Sequence, residues 1–187
     1  MASAFGHAFA AVMIGKSANA LRESPAKIPF KFWLLTIVSA VLPDADAIGF
    51  NFGIPYEHML GHRGVTHSIA FAIVYAVGIT YLFFREGEVV KHRKTLALYF
   101  FLVTISHAFL DGFTTGGMGV GYFIPFSGER YFFPWRPIKV SPISITRFFT
   151  PGGIAVLQSE AIYVGIPFTL FYLFIWIFAR KPKKKST

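Results

Sequence analysis

Two imidazoles, a guanidinium and two hydroxyls fall within the seven residues His62-Arg63-Gly64-Val65-Thr66-His67-Ser68 of a chain that is otherwise strongly apolar. Histidine is the commonest protein metal ligand, and an arginine in such surroundings must face water or an anion. Other polar residues stand in apolar contexts: His7 near the start, Asp44 and Asp46 just after Pro43, and His107 with Asp111 four residues on. The chain has no cysteine, which removes thiolate ligands and leaves His and carboxylate, a donor set that suits zinc and also manganese. His7, Asp44, Asp46, His62, His67, His107 and Asp111 are more donors than one four-coordinate ion needs, so two zinc ions sharing a carboxylate are expected. Asp111, the only carboxylate on its apolar run, is the expected bridge. Such a pair activates water and clamps the attacking and leaving oxygens of a phosphoryl group. Asp46, Arg63 and Arg136 are the residues expected to act on the substrate, the arginines by holding its phosphate.

These residues need elements to position them, and the composition says what kind. Hydrophobic residues make up 54% of the chain and charged residues only 14%, with a mean hydropathy of +0.54; soluble domains carry about 25% charged residues. Apolar runs at 4–21, 30–42, 66–84, 95–110 and 155–179 predict an all-α polytopic membrane bundle of about five helices, one domain over 1–187. Pro43 should stop the second helix, and an extended 43–47 would point Asp44 and Asp46 to the same side. Gly64 or Thr66 is the expected N-cap of the third helix, His107 and Asp111 share a face of the fourth, and Pro167 should kink the fifth. Residues 112–153, rich in glycine, proline and aromatics, read as an irregular interfacial cap between the fourth and fifth helices, and 180–187 as a basic tail. The start of the chain lacks a basic n-region and a clear cleavage motif, so no removable signal peptide is expected.

Threading five helices alternately puts Arg22, Lys27, Lys31, Arg85, Lys91, Arg93, Lys94 and the basic tail on one side. Arg63, Arg130, Arg136, Lys139 and Arg147 go to the other. The positive-inside rule makes the first side cytoplasmic. The same threading carries all seven candidate donors to the opposite, outward surface. The net charge of +9 therefore reads as topology and attraction to anionic lipid, not as a nucleic-acid interface.

In these pieces the chain resembles the YdjM-like family of inner-membrane-associated metal-dependent hydrolases, also described as LexA-binding. The matching pieces are the early His7, Leu42-Pro43-Asp44-Ala45-Asp46, the 62–68 run, His107-Ala108-Phe109-Leu110-Asp111, and Pro125-Phe126-Ser127 with Tyr131-Phe132-Phe133-Pro134-Trp135-Arg136-Pro137-Ile138. The resemblance implies a membrane-bound hydrolase in a bacterial or archaeal inner membrane. A fainter likeness, in spacing only, runs to zinc-dependent phospholipases C, whose further downstream ligands this chain lacks. The function expected is hydrolysis of a phosphoester in a lipid or lipid-linked substrate, with membrane lipid as the partner. A metal-binding transporter and a scaffold recruiting a soluble protein are the alternatives. No oligomeric state follows from these residues.

Overall fold

The computed structural model describes residues 1–22, 28–86 and 88–179. Lys27 and the tail at 180–187, both part of the expected charge asymmetry, lie outside these residues. The protein is all-helical, with no strand among the described residues and only two isolated bridges, Thr114 to Ile138 and Val120 to Tyr131.

Helix α1 (Ala4–Ala20) starts at Ser3, whose hydroxyl accepts from the Gly6 N–H at 3.2 Å. Helix α2 (Phe30–Val41) ends two residues before Pro43, as expected, but the chain beyond it stays helical. The proline occupies the first turn of a 3-10 helix, Leu42–Phe52, where its missing N–H is needed by no carbonyl, and Gly53 at φ 73° ends that segment. The expected extended 43–47 is thus helical. At three residues per turn, Asp44 and Asp46 leave the axis about 120° apart instead of on one side.

A single 3-10 turn, Val65–His67, leads into α3 (Ile69–Phe83). The cap is Ser68, whose hydroxyl accepts from the Phe71 N–H at 3.0 Å, and not Gly64 or Thr66. Helix α4 (Arg93–Gly112) takes His107 and Asp111 inside its last two turns. The stretch 113–150 is irregular, as the glycines and prolines require, apart from the one-turn α5 (Ile145–Phe148). The last run is α6 (Pro151–Glu160), a π-turn at Ala161–Gly165, and α7 (Ile166–Ala179). The irregularity expected at Pro167 is this π-turn, and Pro167 sits at the second position of α7, where a proline is tolerated.

Among the described residues, three helical stretches are long and apolar enough to cross a membrane: Phe30–Phe52, Val90–Gly112 and Pro151–Ala179, of 23, 23 and 29 residues. Helices α1 and α3, at 17 and 15 residues, span about 26 and 22 Å, less than a hydrocarbon core of about 30 Å.

Ala11, Leu35, Ala40, Ala76, Ile79, Tyr99, Phe100 and Val103 join α1 to α4 in one buried cluster. Small residues bring α1 close: a Cβ on Gly15 would lie 2.7 Å from the Trp33 ring. In α2 the hydroxyls of Thr36 and Ser39 bond back to the carbonyls of Phe32 and Leu35 at 2.9 and 2.6 Å.

The two ends of the bundle differ. At one, Lys31 donates to the Phe83 carbonyl at 2.6 Å and Arg93 to those of Phe84 and Arg85 at 3.1 Å, so cations close the C-terminus of α3. At the other meet the starts of α1 and α3, the ends of α2 and α4, and the end of α6, where Glu160 holds Ser3.

Candidate metal centre

Four side chains from three segments converge at that second end. Asp44 comes from the 3-10 extension of α2, His67 from the turn before α3, and His107 and Asp111 from α4. One donor atom of each lies within 4.8 Å of all the others. His107 Nε2 is 3.0 Å from His67 Nε2 and 3.3 Å from Asp44 Oδ1. His67 Nε2 is 3.6 Å from both Asp44 Oδ1 and Asp111 Oδ2, and His107 Nε2 is 4.0 Å from Asp111 Oδ2. Ligands about 2.0–2.1 Å from a zinc ion at tetrahedral angles stand about 3.3–3.4 Å apart, so the quartet is pre-spaced for one such ion.

The protons agree with the distances. His107 Nδ1 lies 2.7 Å from the Ala40 carbonyl, which only accepts, so Nδ1 carries the hydrogen and Nε2 presents a lone pair. His67 Nδ1 lies 3.0 Å from the Thr66 hydroxyl and 3.2 Å from Asp46 Oδ2. Its Nε2 therefore faces that of His107, and two nitrogens 3.0 Å apart need a proton or a cation between them. Burial opposes charge on the His67 ring, but hydrogen bonds to Asp111, Asp44 and Asp46 outweigh it and hold its pKa up to about 10; the metal-free protein keeps a proton where the ion would go. Both Asp44 oxygens are buried without a hydrogen-bond partner among the described residues. An orphaned carboxylate beside two imidazoles is the arrangement a cation would relieve.

Asp46 and His62, expected among the metal donors, are placed outside the quartet. Asp46 Oδ1 is 2.6 Å from His62 Nδ1, and Oδ2 accepts from the Arg63 N–H at 3.0 Å and the Thr66 hydroxyl at 2.6 Å while facing His67 Nδ1. With its lone pairs so engaged, Asp46 orients His67 instead of binding the ion. Of the two aspartates of the 3-10 helix, Asp44 therefore stands at Nε2 of His67, beside Asp111, and Asp46 at Nδ1, a result of the tight turn that separates them.

Arg63 does face an anion, but an internal one. It is fully buried, with Nε 3.0 Å from Asp111 Oδ2, and it donates to the Gly116 carbonyl at 3.0 Å and the Thr114 hydroxyl at 2.9 Å. A guanidinium so occupied cannot hold a substrate phosphate, and the expectation of a substrate-binding Arg63 gives way to that of a clamp on Asp111. Its backbone is left-handed, φ 61°, at about 1–2 kcal/mol for a residue with a Cβ. The bond to Asp46 and one from the Gly121 N–H to its carbonyl, 2.9 Å, hold it there. Gly117 makes room for the side chain, because a Cβ there would sit 2.8 Å from Arg63 Nη1.

Asp111 meets protein groups with both of its oxygens. Its Oδ1 accepts from the Ala2 N–H at 2.6 Å and lies 3.4 Å from His7 Nε2, while Oδ2 meets Arg63 and the quartet. His7 stands at the edge of the site, its ring stacked 3.7 Å from that of His107, with neither nitrogen hydrogen-bonded among the described residues. Arg136 is on the surface, 4.7 Å over the Phe132 ring, whose other neighbour is the Arg63 guanidinium at 6.0 Å. Arg130 is a fastener: it donates to the carbonyls of His62, Tyr56 and His58 at 2.9, 2.8 and 3.1 Å, tying the cap over the 53–64 loop.

Sequence reasoning gave little weight to Glu160. Its carboxylate accepts from the Ser3 hydroxyl at 2.6 Å and from the Ser3 N–H, fixing the first turn of α1 and with it Ala2 and His7. Gly6 permits this, since a Cβ there would lie 2.9 Å from Glu160 Cδ. The one signal in the chain was its standing as the only acidic residue of the last apolar run.

The inner membrane protein YbcI of Escherichia coli (strain K12) is 40% identical over 152 residues, which cover 80% of this chain and 85% of that protein. No solved structure matches. The family described as YdjM inner membrane protein matches residues 1–183, a stretch that includes every residue of the centre and all three candidate spans. The chain belongs to the YdjM family of inner membrane proteins.

Proposed function

We propose that the protein is a membrane-bound metal-dependent hydrolase of a phosphoester in a lipid or lipid-linked molecule. The observation that carries this reading is the Asp44, His67, His107 and Asp111 quartet, spaced for one divalent ion, with hydrogen-bond partners that fix His67, His107 and Asp111. The donor chemistry favours zinc, and the geometry favours one ion where the composition suggested two. An ion held there would supply Lewis-acid polarisation of a phosphoryl oxygen. The chain's own residues do the rest. Ala40 and Asp46 keep His107 and His67 in the tautomers that present Nε2. Arg63 offsets the negative charge of Asp111. His7 Nε2, without a hydrogen bond, is the base placed to take a proton from an attacking water. The apolar surroundings strengthen each of these interactions by lowering the local dielectric.

The test is metal content together with phosphate release from phospholipid vesicles, before and after chelation. The purified protein is expected to hold one zinc, to lose hydrolysis when stripped and to recover it on re-addition. A protein that binds no metal on reconstitution would remove the proposal.

The five-crossing topology belongs to the same reading, with α1 and α3 as short crossings packed among the three longer ones. The helix ends that carry Lys31, Arg85 and Arg93 lie opposite the centre, so the positive-inside rule places the C-terminus in the cytoplasm and the metal centre outward. A reporter that functions only in the cytoplasm, fused after Thr187, is expected to be active. Silence from a well-expressed fusion would invert the topology.

A further inference from the structure

Three of the four quartet residues are fully buried, and of the quartet only Asp44 touches the surface, through the carbon part of a side chain that is 9% exposed, both carboxylate oxygens being buried behind it. The surface it reaches is not the watery one. There Arg130 fastens the cap to the 53–64 loop, and Arg63 is closed in by Gly116 and Gly117. Asp44 instead ends a groove of about 530 Å³ whose other walls are Ile37, Val38, Val41, Leu42 and Ala45. These residues recur at helical spacing along one side of Phe30–Phe52, a candidate span, and Ile37 and Val38 are 38% and 40% exposed. An apolar stripe outside the core of a span is covered by lipid, not by water. Its occupant is therefore an acyl chain, and at the end of that chain a phosphate would meet the cation site, where the charges are complementary.

We infer that this groove is a lateral entry by which a membrane phospholipid brings its phosphate to the centre, the acyl chain lying along Ile37, Val38 and Val41. The inference rests on the metal-centre reading above and adds to it the direction of approach and the class of substrate: a diacyl phospholipid taken from within the leaflet. A phosphate arriving from water would have to pass the cap and would be indifferent to the groove.

Cobalt in place of zinc makes the approach visible without turnover. Protein loaded with cobalt, freed of excess metal and reconstituted in vesicles of dimyristoyl phosphatidylcholine should accelerate the phosphorus NMR relaxation of the lipid. Val38→Trp and Val41→Trp fill the groove and should reduce this acceleration to the level of cobalt-free protein, with cobalt content unchanged. Val74→Trp, at a position on α3 that is 72% exposed and away from the groove, should leave it as in wild type. A second arm adds inorganic phosphate to the same samples. Equal relaxation of free phosphate in wild type and groove-filled variants, with the lipid signal untouched, would overturn lateral entry while leaving the metal centre standing. Lipid relaxation that survives both tryptophans would also overturn it. Failure of wild type to take up cobalt would instead sink the metal-centre reading itself.

Discussion

Asp111→Asn is expected to leave the protein folded but free of metal and inactive. The carboxylate is the point where the site's charges meet, with Arg63 Nε at 3.0 Å, His67 Nε2 at 3.6 Å and the Ala2 N–H at 2.6 Å. Asparagine keeps the shape and removes the charge, so the ion loses an anionic ligand while the guanidinium, fully buried, keeps its positive charge and repels any cation that enters. Asp46→Asn is the informative contrast. It disturbs only the orientation of His67, and changes at residues that orient a ligand cost about 10- to 100-fold in affinity or activity. Zinc analysis and vesicle hydrolysis on both variants, with melting in detergent as the folding check, rank them. If Asp46→Asn is the one emptied of metal and Asp111→Asn keeps its ion, the assignment of donor and orienter is reversed.

Arg63→Met is expected to cause a large loss of stability. Removing one partner of a buried ion pair leaves the other charge without compensation, at about 3–5 kcal/mol. Methionine is close in length, so little of this loss is packing. The state of the centre should modulate the effect. In stripped protein Arg63 is the permanent cation beside Asp111, whereas a bound ion supplies a second. The melting temperature of the variant should therefore fall further below wild type in chelator than in zinc. An equal drop in both would mean that Arg63 serves the fold of the 114–117 turn, through Thr114 and Gly116, more than it serves Asp111.

The quartet was legible because each member is polar in an apolar run, where only a partner or a ligand makes it tolerable, and because His107 and Asp111 are one helical turn apart. The division of labour between Asp44 and Asp46 was not, since Pro43 is compatible with both a stop and a start. Only the tight helix after it decides that the two aspartates reach opposite nitrogens of His67. The role of Arg63 was half visible: chemistry demands an anion, but the choice among three aspartates depends on a left-handed backbone that nothing local requires. Glu160 was hidden by distance, its partner Ser3 lying 157 residues away in the chain. The helix boundaries fell within a few residues of expectation where hydrophobicity set them. They missed where a hydroxyl cap did, as at Ser68.

The π-turn at Ala161–Gly165 separates two duties that the sequence merges into one apolar run. Before it, α6 buries Gly153, Val156, Ser159 and Glu160 against the rest of the molecule; after it, no residue of α7 is fully buried, and Phe168 packs with part of its surface against Ala2, Ala10, Leu110, Ile138 and Val164. A wide turn holds one more residue than an α-turn, and each residue of helix is worth about 100° of rotation. The upstream half is keyed to the centre through Glu160 and Ser3, whereas the downstream half meets α1 through partly exposed side chains such as Tyr172, over which Lys16 lies at 5.8 Å. Drift in α7 that keeps it greasy need not be answered by any change at the centre, so the last crossing can adapt to bilayers of different thickness while Glu160 keeps its grip on the first turn of α1.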